Sequence, residues 1–96
     1  MDLIYLPQDL SEPIRHILEW HLNSYMPEHK FNIRVNRILE QYFQKNLVNG
    51  NVQVKRSDLY YINECVSNAT NNIDEIEIDK DTVWKIYDWV IKERKK

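Results

Sequence analysis

The chain predicts an all-α fold: a compact four-helix single domain over residues 1–96, with a minimal two-strand β-ribbon. Three observations carry this reading. Apolar residues recur at three- and four-residue steps in four separate segments, the period of an amphipathic helix. Punctuation is sparse, with one glycine (Gly50) and three prolines (Pro7, Pro13 and Pro27). Alternation at period two is confined to short stretches, where Val52 and Val54 can pair with Ile76 and Ile78 as the ribbon.

Residues 2–8 read as an apolar, extended lead-in closed by Pro7. Ser11 is the expected N-cap of the first helix, with Pro13 in its first turn, where a missing N–H costs nothing. Ile14, Ile17, Leu18, Leu22, Tyr25 and Met26 share one face. Pro27 stops the helix near Tyr25 because it disfavours helical geometry before it. A second helix is expected over 33–48, capped by Asn32, with a stripe of Val35, Ile38, Leu39, Tyr42, Phe43 and Leu47. Phe31, Ile33 and Val35 also alternate, so an extended first turn stays open. Gly50 supplies the left-handed residue that a helix end commonly needs.

"VQVKR" reads as a short strand or extended arm. Ser57 is the expected cap of a third helix carrying Leu59, Ile62, Val66 and Ala69 on its face. "NATNN" ends that helix, because short polar side chains compete for the backbone. Asp79 or Asp81 caps the last helix, where a negative charge complements the positive helix end. Its stripe is Val83, Ile86, Tyr87, Val90 and Ile91.

The order helix, extended "NVQVKRSD", helix, extended "IEIDKDT", helix resembles that of the histone fold. The middle helix of that fold is much longer than the 57–71 segment, and here the chain departs from it. "DLIYLPQD" followed by Glu19 and Trp20 is similar to a segment of colicin-type DNase immunity proteins. Leu6 stands where that family has its second tyrosine, and no role is carried over from so short a match.

The chain is 43% hydrophobic and 29% charged, with a formal net charge of −2. That balance fits a globular chain and excludes an electrostatic nucleic-acid binder acting through its whole surface. A single cysteine, Cys65, excludes an internal disulfide and a cysteine-rich zinc site. Cys65 adjoins an apolar stripe and reads as a buried structural thiol. The N-terminus carries an acid at once, and its apolar run is too short for a signal peptide. No stretch approaches the roughly 18 apolar residues of a membrane span. A cytoplasmic location is expected, or a nuclear one in a eukaryote. Asn68 and Thr70 fit a glycosylation pattern that has no meaning without secretion.

Enzyme signatures are missing from the sequence. One glycine cannot build a phosphate-cradling loop or a nucleophile elbow. His16 and His21 lie about 140° apart on a helix and cannot chelate one ion. His21 falls on the apolar stripe and is expected as a hydrogen-bonded core residue. The acids around Lys80 lack the glycine and oxygen spacing of a calcium loop. No catalytic residue, cofactor, metal or small-molecule substrate is therefore expected.

The expected role is a non-catalytic adaptor, inhibitor or regulator that binds another protein or a second copy of itself. The expected face is His16, Trp20, Lys85 and Trp89, because Trp20 and Trp89 fall off their apolar stripes and tryptophan is enriched in interface hot spots. The alternative is a small helical DNA-binding regulator using Arg34, Arg37, Gln41, Lys45, Lys55 and Arg56, residue types that reach phosphates and base edges. The basic tail, Lys92 to Lys96, complements the negative end of the last helix. Asp88 and Glu93 within that helix argue against a membrane-surface role.

Overall fold

A computed structural model describes residues 3–24, 30–43 and 52–96. Within them the domain is mostly helical, with four α-helices and a two-strand antiparallel sheet. The elements are β1 (Leu3–Tyr5), α1 (Gln8–Ser24), α2 (Lys30–Ile38), a π-helical turn (Leu39–Phe43), β2 (Gln53–Lys55), a 3-10 turn (Arg56–Asp58), α3 (Leu59–Asn71) and α4 (Lys80–Arg94).

The expected strand at Val52–Val54 forms, but its partner is the lead-in segment and not Ile76–Ile78. β1 pairs with β2, placing Leu3 opposite Lys55, Ile4 opposite Val54 and Tyr5 opposite Gln53. The Leu6 N–H extends the pairing to the Val52 carbonyl at 2.9 Å. Ile76 and Ile78 lie in a turn instead, with Ile76 buried and Ile78 half-buried against the core. Period two marks which side chains face inward but does not name a partner strand. Ile4 and Leu6 carry the same inward alternation as Ile76 and Ile78, and β1 takes the position.

The first helix begins earlier than Ser11. The Pro7 carbonyl accepts the Ser11 N–H at 3.0 Å and the Ser11 hydroxyl at 3.0 Å. Ser11 is thus a buried residue bonding back one turn rather than a cap. Pro13 then falls inside the helix, where its missing N–H leaves the Asp9 carbonyl without its intrahelical donor.

The second helix starts before Asn32, which is buried inside it. After Ile38 the turn widens to the π geometry, and Leu39 and Phe43 both stay in the core. The expected continuation to residue 48, with Leu47, Lys45 and the Gly50 end, lies outside the described residues, as do Tyr25, Met26 and Pro27. Ser57 sits exposed in the 3-10 turn and does not cap α3. Asp58 holds the cap position, but its carboxylate bonds elsewhere and caps nothing. Of the two acids expected to cap α4, Asp79 does so, accepting the Thr82 N–H at 3.3 Å.

One core joins all of these elements. Ile14, Ile17 and Leu18 of α1, Leu59, Ile62 and Val66 of α3, and Val83, Ile86 and Val90 of α4 are almost wholly shut off from solvent. Val35 and Ile38 close the core from α2, and Ile4, Leu6 and Val54 close it from the sheet. Each such aliphatic side chain stabilises the fold by about 1.5–3 kcal/mol as an upper figure. α3 packs on both α1 and α4.

Candidate functional site

Trp20 and Trp89 are both half-buried and pack against the core cluster. Trp89 lies one turn before Glu93, whose backbone carbonyl accepts the Arg56 guanidinium at 2.7 Å. His16 is half-buried on α1. Lys85 is exposed and pairs with Asp9 of α1 at 3.1 Å, tying the two helices. That ion pair holds the exposed Asp9 carboxyl below the usual carboxylate range, through its bond to Lys85.

The tryptophan that faces solvent is Trp84, at 52% exposure. Its ring meets Tyr87 edge-on with centroids 5.6 Å apart. Trp84, Tyr87, Ile91 and Arg94 follow one another at helical steps along a single strip of α4, and Lys95 is its C-cap. Between this strip and α3 lies a shallow depression lined by Asn63, Tyr87, Ile91, Arg94 and Lys95. Asn63 brings a specific tension to it. Its Oδ1 is buried and accepts no hydrogen bond, alone in this among the described residues.

At the far end of the depression the Arg94 guanidinium lies over the Tyr60 ring, 5.7 Å from its centroid. Tyr60 is itself 47% exposed. It meets Tyr61 edge-on at 5.2 Å, and Phe31 of α2 packs against both rings. Phe31 in turn contacts His21 of α1 at 5.4 Å. An aromatic file therefore runs from the buried end of α1 to the open surface of α3.

His21 fulfils its expected part as a core residue. It is 4% exposed, and its Nε2 is 3.0 Å from the Asn32 Oδ1. Its Nδ1 lies 3.4 Å from the Asn68 amide nitrogen. Burial pushes its pKa below the ordinary histidine value, against the raising effect of the bond to Asn32. The Cys65 thiol is fully buried, and desolvation, aided by the charge of Glu64, pushes its pKa far up. Such a thiol is a poor nucleophile.

The basic face expected on the second helix is divided. Arg34 turns inward, donating to the buried Asp58 carboxylate at 3.1 Å and 3.3 Å while its guanidinium lies over Tyr61. Arg56 is held by Glu93 at the end of α4. Arg37, Gln41 and Lys55 remain exposed, and Lys45 lies outside the described residues. The π turn after Ile38 also breaks the simple helical phase that would align Arg34, Arg37 and Gln41.

Sequence periodicity missed the depression because its two walls are far apart in the chain. Asn63 and Tyr60 belong to α3, and Tyr87, Ile91 and Arg94 to α4. The available signal was Trp84 on the margin of the α4 stripe, three residues before Tyr87. Among the described residues no group of three or more His, Cys, Asp or Glu side chains could hold a metal ion. No helix of the described residues is long and apolar enough to cross a membrane. The chain matches no protein-family model, no curated protein and no solved structure.

Proposed function

We propose that this chain is a non-catalytic adaptor, inhibitor or regulator that binds another protein through the α3–α4 seam. The observation that supports this reading is a pair of exposed aromatic residues that adjoin one depression, Trp84 against its lining residue Tyr87 and Tyr60 beneath its lining residue Arg94. Water contact over much of a tryptophan forgoes burial worth a few kcal/mol, of order 25 cal/mol per Å². Tryptophan, tyrosine and arginine are the residues that most often dominate interface energetics, and all three meet here. The face of His16, Trp20, Lys85 and Trp89 is a weaker surface for the same role, since both its indoles already pack on the core.

Copurification from the native host, quantified against Trp84→Ala and Tyr60→Ala, tests the reading. A partner should be lost from both variants while their helical circular dichroism stays at the wild-type level. Sedimentation of the purified chain alone separates a foreign partner from a second copy. If Trp84→Ala keeps the partner and Trp20→Ala, still folded, loses it, the binding face is the one on α1.

The DNA-binding alternative rests on Arg37, Gln41 and Lys55. It requires retention on a nucleic-acid column with a steep salt dependence, because phosphate contacts release counterions.

A further inference from the structure

We infer that the α3–α4 depression takes an acidic peptide segment of the partner, its carboxylate held by Arg94 and Lys95 and one of its N–H groups donated to Asn63. This rests on the protein-binding reading above and names the chemistry of the occupant.

Charge supports it first. The lining includes Arg94 and Lys95 and no acid. The nearby acids of α4 are already compensated, Asp88 by Lys92 at 2.9 Å and Glu93 by Lys96 at 3.0 Å. Arg94 and Lys95 form no ion pair among the described residues, so the wall of the depression carries positive charge without a counterpart. Tyr60 adds geometry. The Arg94 guanidinium lies 5.7 Å from the Tyr60 ring centroid, a contact that holds it beside the depression, and a guanidinium can bind a carboxylate in bidentate fashion.

Asn63 supplies the second, independent observation. A buried Oδ1 without a donor is a costly state, and a turn of the Asn63 amide toward the depression it lines would let an N–H of a docked chain relieve it. A peptide offers both features, a carboxylate side chain and a backbone donor, within a few ångströms of each other. Tyr87 and Ile91 add an apolar floor, and Trp84 flanks it. A nucleic-acid strand fits less well. The molecule carries a net charge of −2, and Arg94 and Lys95 alone would neutralise few phosphates.

Panning a displayed library of random dodecapeptides on the full chain tests the inference. Enriched peptides should be rich in Asp and Glu. A synthetic peptide from the enriched set should bind about tenfold more weakly to an Arg94→Ala/Lys95→Ala variant, and as much more weakly when its acids become Gln or Asn. Asn63→Ala should weaken binding about three- to tenfold. A single-stranded oligonucleotide serves as the competing probe.

Peptides that bind in a Trp84-dependent manner but are neutral, or are indifferent to Arg94 and Lys95, overturn the acidic occupant and leave the protein-binding face standing. Binding indifferent to Trp84 as well, or no enrichment at all, removes both. Oligonucleotide binding lost in the Arg94→Ala/Lys95→Ala variant, without peptide binding, assigns the depression to nucleic acid and refutes the inference.

Discussion

Asp58 is the best place to test how this fold is held, because one buried carboxylate joins three elements. It is 2% exposed at the start of α3. It accepts from Arg34 of α2 at 3.1 Å and 3.3 Å, and from the Tyr42 hydroxyl of the π turn at 3.0 Å. Burial, and then the hydrogen bond to Asp58 and the charge of that carboxylate, raise the Tyr42 pKa, so the hydroxyl remains a donor at neutral pH.

The three variants of this network should rank in a definite order. Breaking a fully buried ion pair costs about 3–5 kcal/mol, because the surviving charge is stranded. Asp58→Ala leaves behind Arg34, whose side chain is 40% exposed and regains water, which lowers the expected loss. That loss is about 2–3 kcal/mol. Arg34→Met does the reverse, leaving the carboxylate 3% exposed with only Tyr42 as its side-chain donor. Its cost should approach the full 3–5 kcal/mol, or about 3 if the carboxylate takes up a proton. Tyr42→Phe removes one bond while Arg34 still holds Asp58, costing about 1 kcal/mol.

Urea unfolding followed by far-UV circular dichroism measures all three, provided the m-value stays constant. An Asp58→Ala loss below about 0.5 kcal/mol would refute the reasoning. So would an Arg34→Met variant that is more stable than Tyr42→Phe. The same variants bear on function. If Arg34 contacts nucleic acid rather than Asp58, its replacement should abolish retention on a nucleic-acid column and leave stability untouched.

Two further predictions follow from buried titratable groups. The His21 pKa lies below its unfolded value, so the unfolded chain binds more protons at mildly acid pH. Stability should therefore be fully present above about pH 6.5 and fall as the pH drops toward the folded pKa. His21→Gln should flatten that part of a stability–pH profile, and an unchanged slope would exclude His21 as its source. Cys65 should not react with an aromatic disulfide reagent in the native protein and should react at once in urea, because its thiolate is disfavoured and shielded. Rapid native labelling would place Cys65 at the surface.

Much of the fold is legible in the residues because helical periodicity is a local property. The inward faces of α1, α3 and α4 follow from spacing alone, and so do an acidic cap at Asp79 or Asp81, His21 as a core residue and the burial of Cys65. Errors collect where a side chain has a distant use. Asn32 resembles a cap in one dimension yet bonds to His21, and Ser57 resembles the cap of α3 while Asp58 takes that position with its carboxylate bonded to Arg34 and Tyr42. Ser11 resembles a cap because nothing in its neighbourhood says that Pro7 will accept its N–H.

The sequence by itself determined four amphipathic helices, the extended segments at residues 2–8 and 52–54, and the residue types available for binding. Which strands pair, which tryptophan faces water and where an uncompensated positive surface lies were decided by the tertiary structure alone. The physical reason is that the pattern of a helix specifies the face it buries, whereas exposure of a residue at the margin depends on what packs beside it. Trp89 lies one turn before Glu93 and is half-buried against the core, while Trp84 meets the Tyr87 ring and stays largely in water.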